Sequence, residues 1–580
     1  MKKMSRRDFV KGATSVGALA AFGLGYGPVI ARSLNPTVGS ETPPDPVVGP
    51  EGYLYTSCLQ CNTGCGIKVK VVDGEAVKIE GNPYTPFNRF PHIDYATTPA
   101  EAVNEFGALC PKGQAGLQTA YDPYRLRKVL KRAGPRGSNR WVAIPFAQAI
   151  REIADGGTLF ASVPGEETRV VPGLKELRAM RDPQTMKDIG ADAKNVQKGT
   201  MTIADFQTKW AAELPNLIDP DHPDLGPKNN EVAFVWGRLK AGRREFIDFF
   251  IKDGLGSANY HGHTTVCQGS LYFASKAMSD QFKDGKWQGG QKFYWQADLA
   301  GADFVIFVGA NPFEGNYGPT NRSLRIADGL ASGRLKYAVV DPRMSKAVTN
   351  AWKWMPIKPG TEAGLAMAMI RWVLENGRHD TRFLGNANKA AATADSETTW
   401  TNASWLVRIE SDGPGAFLRA SHVGLPGVET RTGSDGVPYT FDPFVVMIGG
   451  VETPFDPNDT ANAVEGDLFF DGTVGGIRVK SVLQLLIEAA SERTIEEWAD
   501  LCGLDPTDIV QIAREFTSHG KRAAADIHRG VSQHTNGIYN VWSWFTLNLL
   551  IGNYDWKGGM AKATTYGHAG GKAGQPYDFA

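Results

Sequence analysis

The chain has 580 residues, with 62 Lys and Arg balanced by 62 Asp and Glu. A formal net charge of zero gives no support for a polyanionic partner such as nucleic acid. Apolar residues at 42% and charged residues at 21% describe a folded globular protein, long enough for three or four domains at roughly 100–200 residues each.

The N-terminal stretch "SRRDFVKGATSVGALAAFGLGYGPVIARS" joins positive charge to an apolar run, the outline of an export signal. Gly12, Gly17, Gly23, Gly25 and Gly27 dilute that run before it meets Pro28, so it makes a poor permanent anchor against the roughly 20 strongly apolar residues a span requires. Arg6 and Arg7 followed by Phe9 and Val10 resemble a twin-arginine signal over residues 1–33. That route exports folded cargo, and the expected location is the periplasm or the outer face of the cytoplasmic membrane. An ordinary secretory signal, or a basic end before a buried helix, is the plainer alternative. No later segment reads as a membrane span, so membrane contact is expected only through partners. The Pro- and Gly-rich "NPTVGSETPPDPVVGPEG" reads as a linker, 34–49.

Cysteines come next, and there are six. Cys58, Cys61 and Cys65 crowd into Cys-x2-Cys-x3-Cys, and a fourth, Cys110, follows in "GALCPKGQAG". Bridges within so tight a trio would staple little, and zinc ordinarily takes two short paired hooks. Three thiolates from one loop and one from afar suit a [4Fe–4S] cubane better than zinc or disulfides. Between them, "GIKVKVVDGEAVKIEG" alternates on both sides of Asp73-Gly74, the signature of a hairpin. The cluster domain is expected over 50–138.

From about residue 139 the pattern becomes α/β, broken by an irregular, charged, Pro-rich insertion near 160–230. "EVAFVWGRLKAGRREFIDFFIKDG" reads as strand, turn and helix. In "SANYHGHTTVCQGSLYFASKAMS", Cys267 stands where a helix opens, a setting that favours the thiolate. "GADFVIFVGANPFEG" and "RLKYAVVDPR" are buried strands ending at Gly309-Ala310-Asn311-Pro312 and at Asp341-Pro342-Arg343. "WMPIKPGTEAGLAMAMIRWVLENG" is a short strand, the turn Pro359-Gly360-Thr361-Glu362 and a helix stopping near Gly377. Such turns at strand ends suit a dinucleotide: Gly admits the pyrophosphate, helix N–H groups bind it, and an acid holds a ribose. The helices "VKSVLQLLIEAA" and "DIVQIAREF" lead to "HRGVSQHTNGIYNVWSWFTLNLLIGNYDWKGGMA".

Taken with "KGQAGLQTAYDPYRLRKVLKRAGPRG", these motifs resemble the catalytic subunits of molybdopterin-dependent oxidoreductases, the dimethyl sulfoxide reductase superfamily. The resemblance runs over nearly all of 50–565 and implies one [4Fe–4S] cluster and molybdenum (or tungsten) held by two molybdopterin guanine dinucleotides. It implies Lys112 as the residue between cluster and pterin and Cys267 as the protein ligand to the metal. One dinucleotide would be met by Gly309, Asn311, Pro312, Asp341, Arg343, Pro359, Gly360, Thr361 and Glu362, the other by Gly530, Gln533 and His534. The implied fold is α/β: an iron–sulfur domain with a small β-sheet, then two doubly wound α/β dinucleotide-binding domains, 139–300 with 481–580 and 301–480. No counterpart of the family's C-terminal β-barrel domain is expected up to Ala580, as in a fragment, a chain split from a separate polypeptide or a truncated remnant.

Formate dehydrogenases place His after the ligand, where this chain has Gln268. "GNPYTPFN" and "AYDPYRLRKVLKRAGPRGSNRW" look most like tetrathionate reductase catalytic subunits. The implied activity is respiratory reduction of a sulfur or other chalcogen oxyanion. The implied partners are an iron–sulfur electron-transfer subunit plus a quinol-oxidising membrane subunit. Tetrathionate, thiosulfate and polysulfide are the implied substrate types; the alternatives are arsenate or selenate reduction, a non-catalytic electron-transfer or scaffold subunit, or a truncated remnant.

Overall fold

The computed structural model describes residues 51–563 except 62, 90, 92, 238, 240–242, 291–293 and 316–318. The signal, the linker and the last residues, 564–580, lie outside that description. The chain divides into two compact units, one up to His263 and one over Thr264–Tyr566.

In the first unit, β1 (Glu51–Ser57), β2 (Gly66–Val72) and β3 (Glu75–Gly81) form an antiparallel sheet in that order. The hairpin turns as its sequence predicts: Asp73 and Gly74 both have positive φ, 51° and 79°, the type I′ geometry that follows strand twist. The insertion expected to be irregular is ordered. Its helices α1 (Pro183–Gln197) and α2 (Ile203–Lys209) are capped by Asp182 and Thr202 and enclose a core of Met180, Ile189, Ala193, Phe206 and Leu217. Charged residues on the outer faces disguise these short amphipathic helices in the sequence. The only parallel pairing among this unit's described residues joins β4 (Phe234–Trp236) to β5 (Tyr260–Gly262).

The second unit opens with α3 (Thr264–Met278) and the hairpin β6 (Gln281–Lys283) and β7 (Lys286–Gln288). Its centre is β8 (Phe304–Val308), buried at all five positions, as expected for a strand covered on both faces. Phe304, Ile306 and Val308 face one core and Val305 and Phe307 the other, the period of two that a strand imposes. Then come α4 (Pro319–Ala331), β9 (Lys336–Val340), β10 (Lys353–Met355) and α5 (Glu362–Glu375). A lobe of antiparallel strands follows, among them β11 (Leu406–Glu410), β12 (Gly413–Phe417), β13 (Asp471–Val474) and β14 (Ile477–Ser481). The chain then returns through α6 (Pro506–Phe516), β15 (Ala523–Ile527) and α7 (Gly537–Leu550).

The parallel sheet runs β10-β9-β8-β15, which departs from the division read in the sequence. The sequence pattern places residues after 481 with the earlier α/β domain, yet β15 pairs with β8, Phe304 opposite Ala523 through Val308 opposite Ile527. A fully buried β8 needs partners on both edges, and β15 brings three alanines small enough to pack closely. As an edge strand β15 leaves unpaired backbone groups, and Asn548 of α7 covers them. Its Oδ1 accepts the Ala525 N–H and its Nδ2 donates to the Ala525 carbonyl, both at 2.9 Å.

Asn548→Leu strips both partners from Ala525 in a fully buried site. Stability should fall by about 3 kcal/mol, read as a lower urea midpoint with an unchanged slope.

Candidate functional site

Backbone contacts in the first unit bring together the segments that carry four of the cysteines. Cys58 follows the first strand directly and its N–H donates to the Cys65 carbonyl at 2.8 Å, closing the loop that carries Cys61. The distant Cys110 is brought in through Asn88, which is fully buried. The Asn88 amide donates to the Gly66 carbonyl, and its backbone carbonyl accepts the Ala108 N–H at 2.7 Å. Alongside, the Gly81 N–H meets the Gly107 carbonyl at 2.9 Å, and a Cβ on Gly81 would stand 2.1 Å from the Ala108 oxygen, so only glycine permits the approach. The buried Lys68 ties down the rest of this segment, donating to the Val103 and Glu105 carbonyls at 2.6 and 3.1 Å.

Cys110 caps the helical turn Pro111–Gln114, which carries Lys112. Burial raises the Cys58 thiol above its ordinary pKa; charge on Cys61 and Cys110 pushes the same way, and Lys112 opposes it. Lys112 therefore stands within electrostatic reach of the thiol group. No disulfide joins any two of the six cysteines. Among the described residues no three Cys, His or carboxylate side chains stand at metal-binding spacing, so the fit to an iron–sulfur cluster rests on the soft chemistry of the donors and the cation beside them.

The second centre lies at the carboxyl edge of the parallel sheet. Strand order reverses between β8 and β15, where such sheets open a crevice for ligands. Gly309 leaves β8 with φ 53°, and its carbonyl accepts the Gly530 N–H at 2.9 Å. A Cβ on Gly530 would lie 2.5 Å from the Gly309 Cα, and one on Gly309 would lie 2.7 Å from the Gly530 Cα. Beside this contact is a cavity of about 240 Å³ lined by Asn311, Pro312, Arg322, Asp526, His528 and Arg529. Asp526 is fully buried. Its Oδ2 accepts from Arg322 Nη2 at 2.8 Å and from the Ala297 N–H at 3.0 Å, while Asp526 Oδ1 and Arg322 Nε are buried without a partner. An open acceptor and an open donor beside a cradle that no Cβ could share fit a flat heterocycle with polar edges, such as a pterin.

Cys267 lies in the first turn of α3 rather than ahead of it. Its Sγ accepts from Arg529 Nε at 3.1 Å, and its carbonyl accepts from Gln533 Nε2 at 2.9 Å. Arg529 and Gln533 flank Gly530 in sequence, so the glycine contact and the thiol share one segment. His534 turns the other way. Its Nε2 lies 2.8 Å from Asn540 Nδ2 and 3.6 Å from Glu362 Oε2, and Asn540 Nδ2 also reaches Glu362 Oε2 at 3.3 Å. Glu362 thus joins a buried network with His534 and Asn540.

The other predicted positions line the same edge as turns. Asn311 Oδ1 accepts the Phe313 N–H at 3.3 Å, and Asp341 Oδ1 accepts the Arg343 N–H at 2.8 Å. Thr361 Oγ1 donates to the Lys358 carbonyl at 2.6 Å, next to exposed Pro359 and Gly360. The two predicted dinucleotide blocks are joined twice, at Gly309–Gly530 and at Glu362–His534. The sequence motifs do not single out Arg322, Asp526, Arg529 or Asn540. Arg529 stands one residue before a motif glycine, and Asp526 is a lone acid near the end of an apolar run. The Gln268 side chain lies outside the described residues.

The molybdopterin oxidoreductase Fe4S4 domain matches residues 53–122, and the molybdopterin oxidoreductase family proper matches 252–578, more than half the chain. The chain belongs to the molybdopterin oxidoreductase family. It is 44% identical over 584 residues to a selenate reductase subunit of Mesobacillus selenatarsenatis, covering 100% of this chain and 54% of that one. A tetrathionate reductase subunit of Archaeoglobus fulgidus is 36% identical, covering 96% and 50%, and one of Salmonella typhimurium 30%, covering 97% and 52%. The chain spans about half the length of these curated relatives. Membership of the family indicates a [4Fe–4S] cluster and a molybdopterin cofactor.

Two substitutions probe how the centres are built. Asn88→Ala leaves all four cysteines in place but loosens the Cys110 strap, and iron retained under chelator challenge should fall roughly tenfold. Gly530→Ala forces the two strand ends apart. It should cost about 1–3 kcal/mol in thermal unfolding and empty the molybdopterin site by mass analysis, whereas Gly333→Ala, at φ 70° with nothing within 4 Å, should carry only backbone strain and keep the pterin.

Proposed function

We propose that this chain forms the cluster- and pterin-binding part of a molybdenum-dependent reductase of chalcogen oxyanions, with Cys267 as the protein ligand to the metal. The observation that carries this reading is the Cys267 thiol, held at 3.1 Å by Arg529 beside the strand-order reversal. When bound, the pterin-held metal supplies two-electron chemistry and the cluster single-electron exchange. The chain's own groups supply the setting. Arg529 donates to the sulfur and fixes its position. Gln533 holds the Cys267 backbone, and Gly309 and Gly530 give the pterin room. Arg529, which lines the crevice, places a cation beside the thiol.

The relatives named for selenate and tetrathionate support a chalcogen oxyanion as the substrate class. The 44% match to the selenate enzyme along the whole chain favours selenate over the tetrathionate suggested by sequence phrases alone. Bis(molybdopterin guanine dinucleotide) ligation, the two partner subunits and a periplasmic site reached by the twin-arginine route complete the proposal. Among the described residues no helix is long and apolar enough to cross a membrane.

Protein matured in an anaerobic, cofactor-competent host should carry about four iron and one molybdenum or tungsten per chain. It should oxidise reduced viologen with selenate or tetrathionate in the presence of its natural partner chains. Cys267→Ala should keep the iron and lower turnover by at least about a hundredfold. Full iron with neither heavy metal in the unaltered protein would overturn the catalytic reading in favour of a scaffold.

A further inference from the structure

The antiparallel lobe of the second unit holds a second cavity, of about 350 Å³, whose walls include Trp287, Arg408, Phe417, Arg419 and His422. That volume is within the range of small-molecule sites, roughly 300–1,000 Å³. None of these residues belongs to the cluster, to the β8–β15 crevice or to the thiol site.

Its polar groups are positive and incompletely answered. Arg419 is pinned with its guanidinium carbon 3.3 Å from the centre of the Phe444 ring and 4.6 Å from that of Phe282. It donates to the Asp442 carbonyl at 3.0 Å, yet among the described residues no carboxylate stands within ion-pair distance of it. Burial brings its pKa down to about 10, a drop that the charge of Asp442 only partly offsets. Arg408 reaches Glu410 with Nη2 at 3.2 Å, but its Nε is buried without an acceptor. His422 Nδ1 accepts the Arg419 backbone N–H at 3.1 Å, which leaves Nε2 as the ring's donor. Every nitrogen described here is a donor or a cation, apart from the occupied His422 Nδ1.

The remaining wall is flat and apolar. Trp287, on the β6–β7 hairpin, packs 5.9 Å from Phe417 at 37° yet remains 45% exposed. An inorganic anion would answer the arginines and leave the indole wet. A planar body bearing a carboxylate would answer both: charge-assisted bonds at one end and ring stacking at the other.

We propose that this cavity binds a small planar organic anion of the single-ring aromatic carboxylate class, with its carboxylate on Arg408 and Arg419 and its ring on Trp287. The site is separate from the oxyanion chemistry proposed above, because none of its residues contacts Cys267 or lines the β8–β15 crevice.

Calorimetric titration of the full chain with benzoate tests this, with cyclohexanecarboxylate and sulfate as comparison probes. The expected result is saturable 1:1 binding of benzoate, weakened at least tenfold by Arg408→Gln and at least fivefold by Trp287→Leu, with cyclohexanecarboxylate and sulfate several-fold weaker. Trp287→Leu alters a partly exposed ring, so it stays informative if Arg408→Gln does not fold. Three results would overturn the proposal: no saturation with benzoate, saturation unaffected by either variant, or sulfate binding as tightly as benzoate and indifferent to Trp287→Leu.

Discussion

Everything at the sheet edge depends on one close approach, the backbone-to-backbone meeting of Gly309 and Gly530. With no side chain on either residue, the segments leaving β8 and β15 touch where strand order reverses. That contact sets the position of the residues just before and after it. Arg529 is delivered to the Cys267 sulfur and Gln533 to its carbonyl. Asp526, near the end of β15, meets Arg322. A methyl group on either glycine would displace the thiol's partners together with the cradle, so chemistry and architecture cannot be separated here. The cluster centre follows a similar rule, with Gly81 and Gly107 admitting the close backbone contact that brings in Cys110.

The two centres differ in how they are supported. The cluster cysteines rest on a small sheet and a set of main-chain bonds, with Asn88 and Lys68 as buried polar ties. The crevice rests on a fully buried central strand flanked by two apolar cores. In each place buried amides finish what the ladders leave open: Asn88 at the cluster, Asn548 at the sheet edge, Asn540 between the two loop blocks. Hydrogen-bonded polar groups of this kind restrict a core to one arrangement, which suits a site that must present several donors to one large ligand.

Much of this is legible in the sequence, and the reason is local. The Cys-x2-Cys-x3-Cys loop, the Asp73-Gly74 turn, the buried run 304–308 and the helix starting at Glu362 are each encoded within a few residues by spacing, turn chemistry or periodicity. What the sequence hides depends on pairing at a distance. A five-residue run such as "AAADI" says that it is buried, but not against what, so β15 cannot be assigned to its sheet from pattern alone. Asp526 and Arg322 become a pair only once that strand is placed. Glu362 looks like a ligand-facing acid at a turn, and only the position of α7 shows its carboxylate pointing inward to Asn540. The helices of the insertion are hidden because short amphipathic segments rich in charge resemble loops in composition.

The pairing of β8 with β15 also has a consequence in time. Roughly 200 residues separate the partners, and closing so long a segment costs only slightly more entropy than closing a moderate one, yet it must wait for the last strand to exist. On the ribosome, the cysteine loop and its sheet can be complete long before Ala523 emerges. The crevice, by contrast, has no floor until β15 is made. The order of synthesis therefore separates the two centres: the first can be complete on a partial chain, whereas the second closes only once β15 has been made.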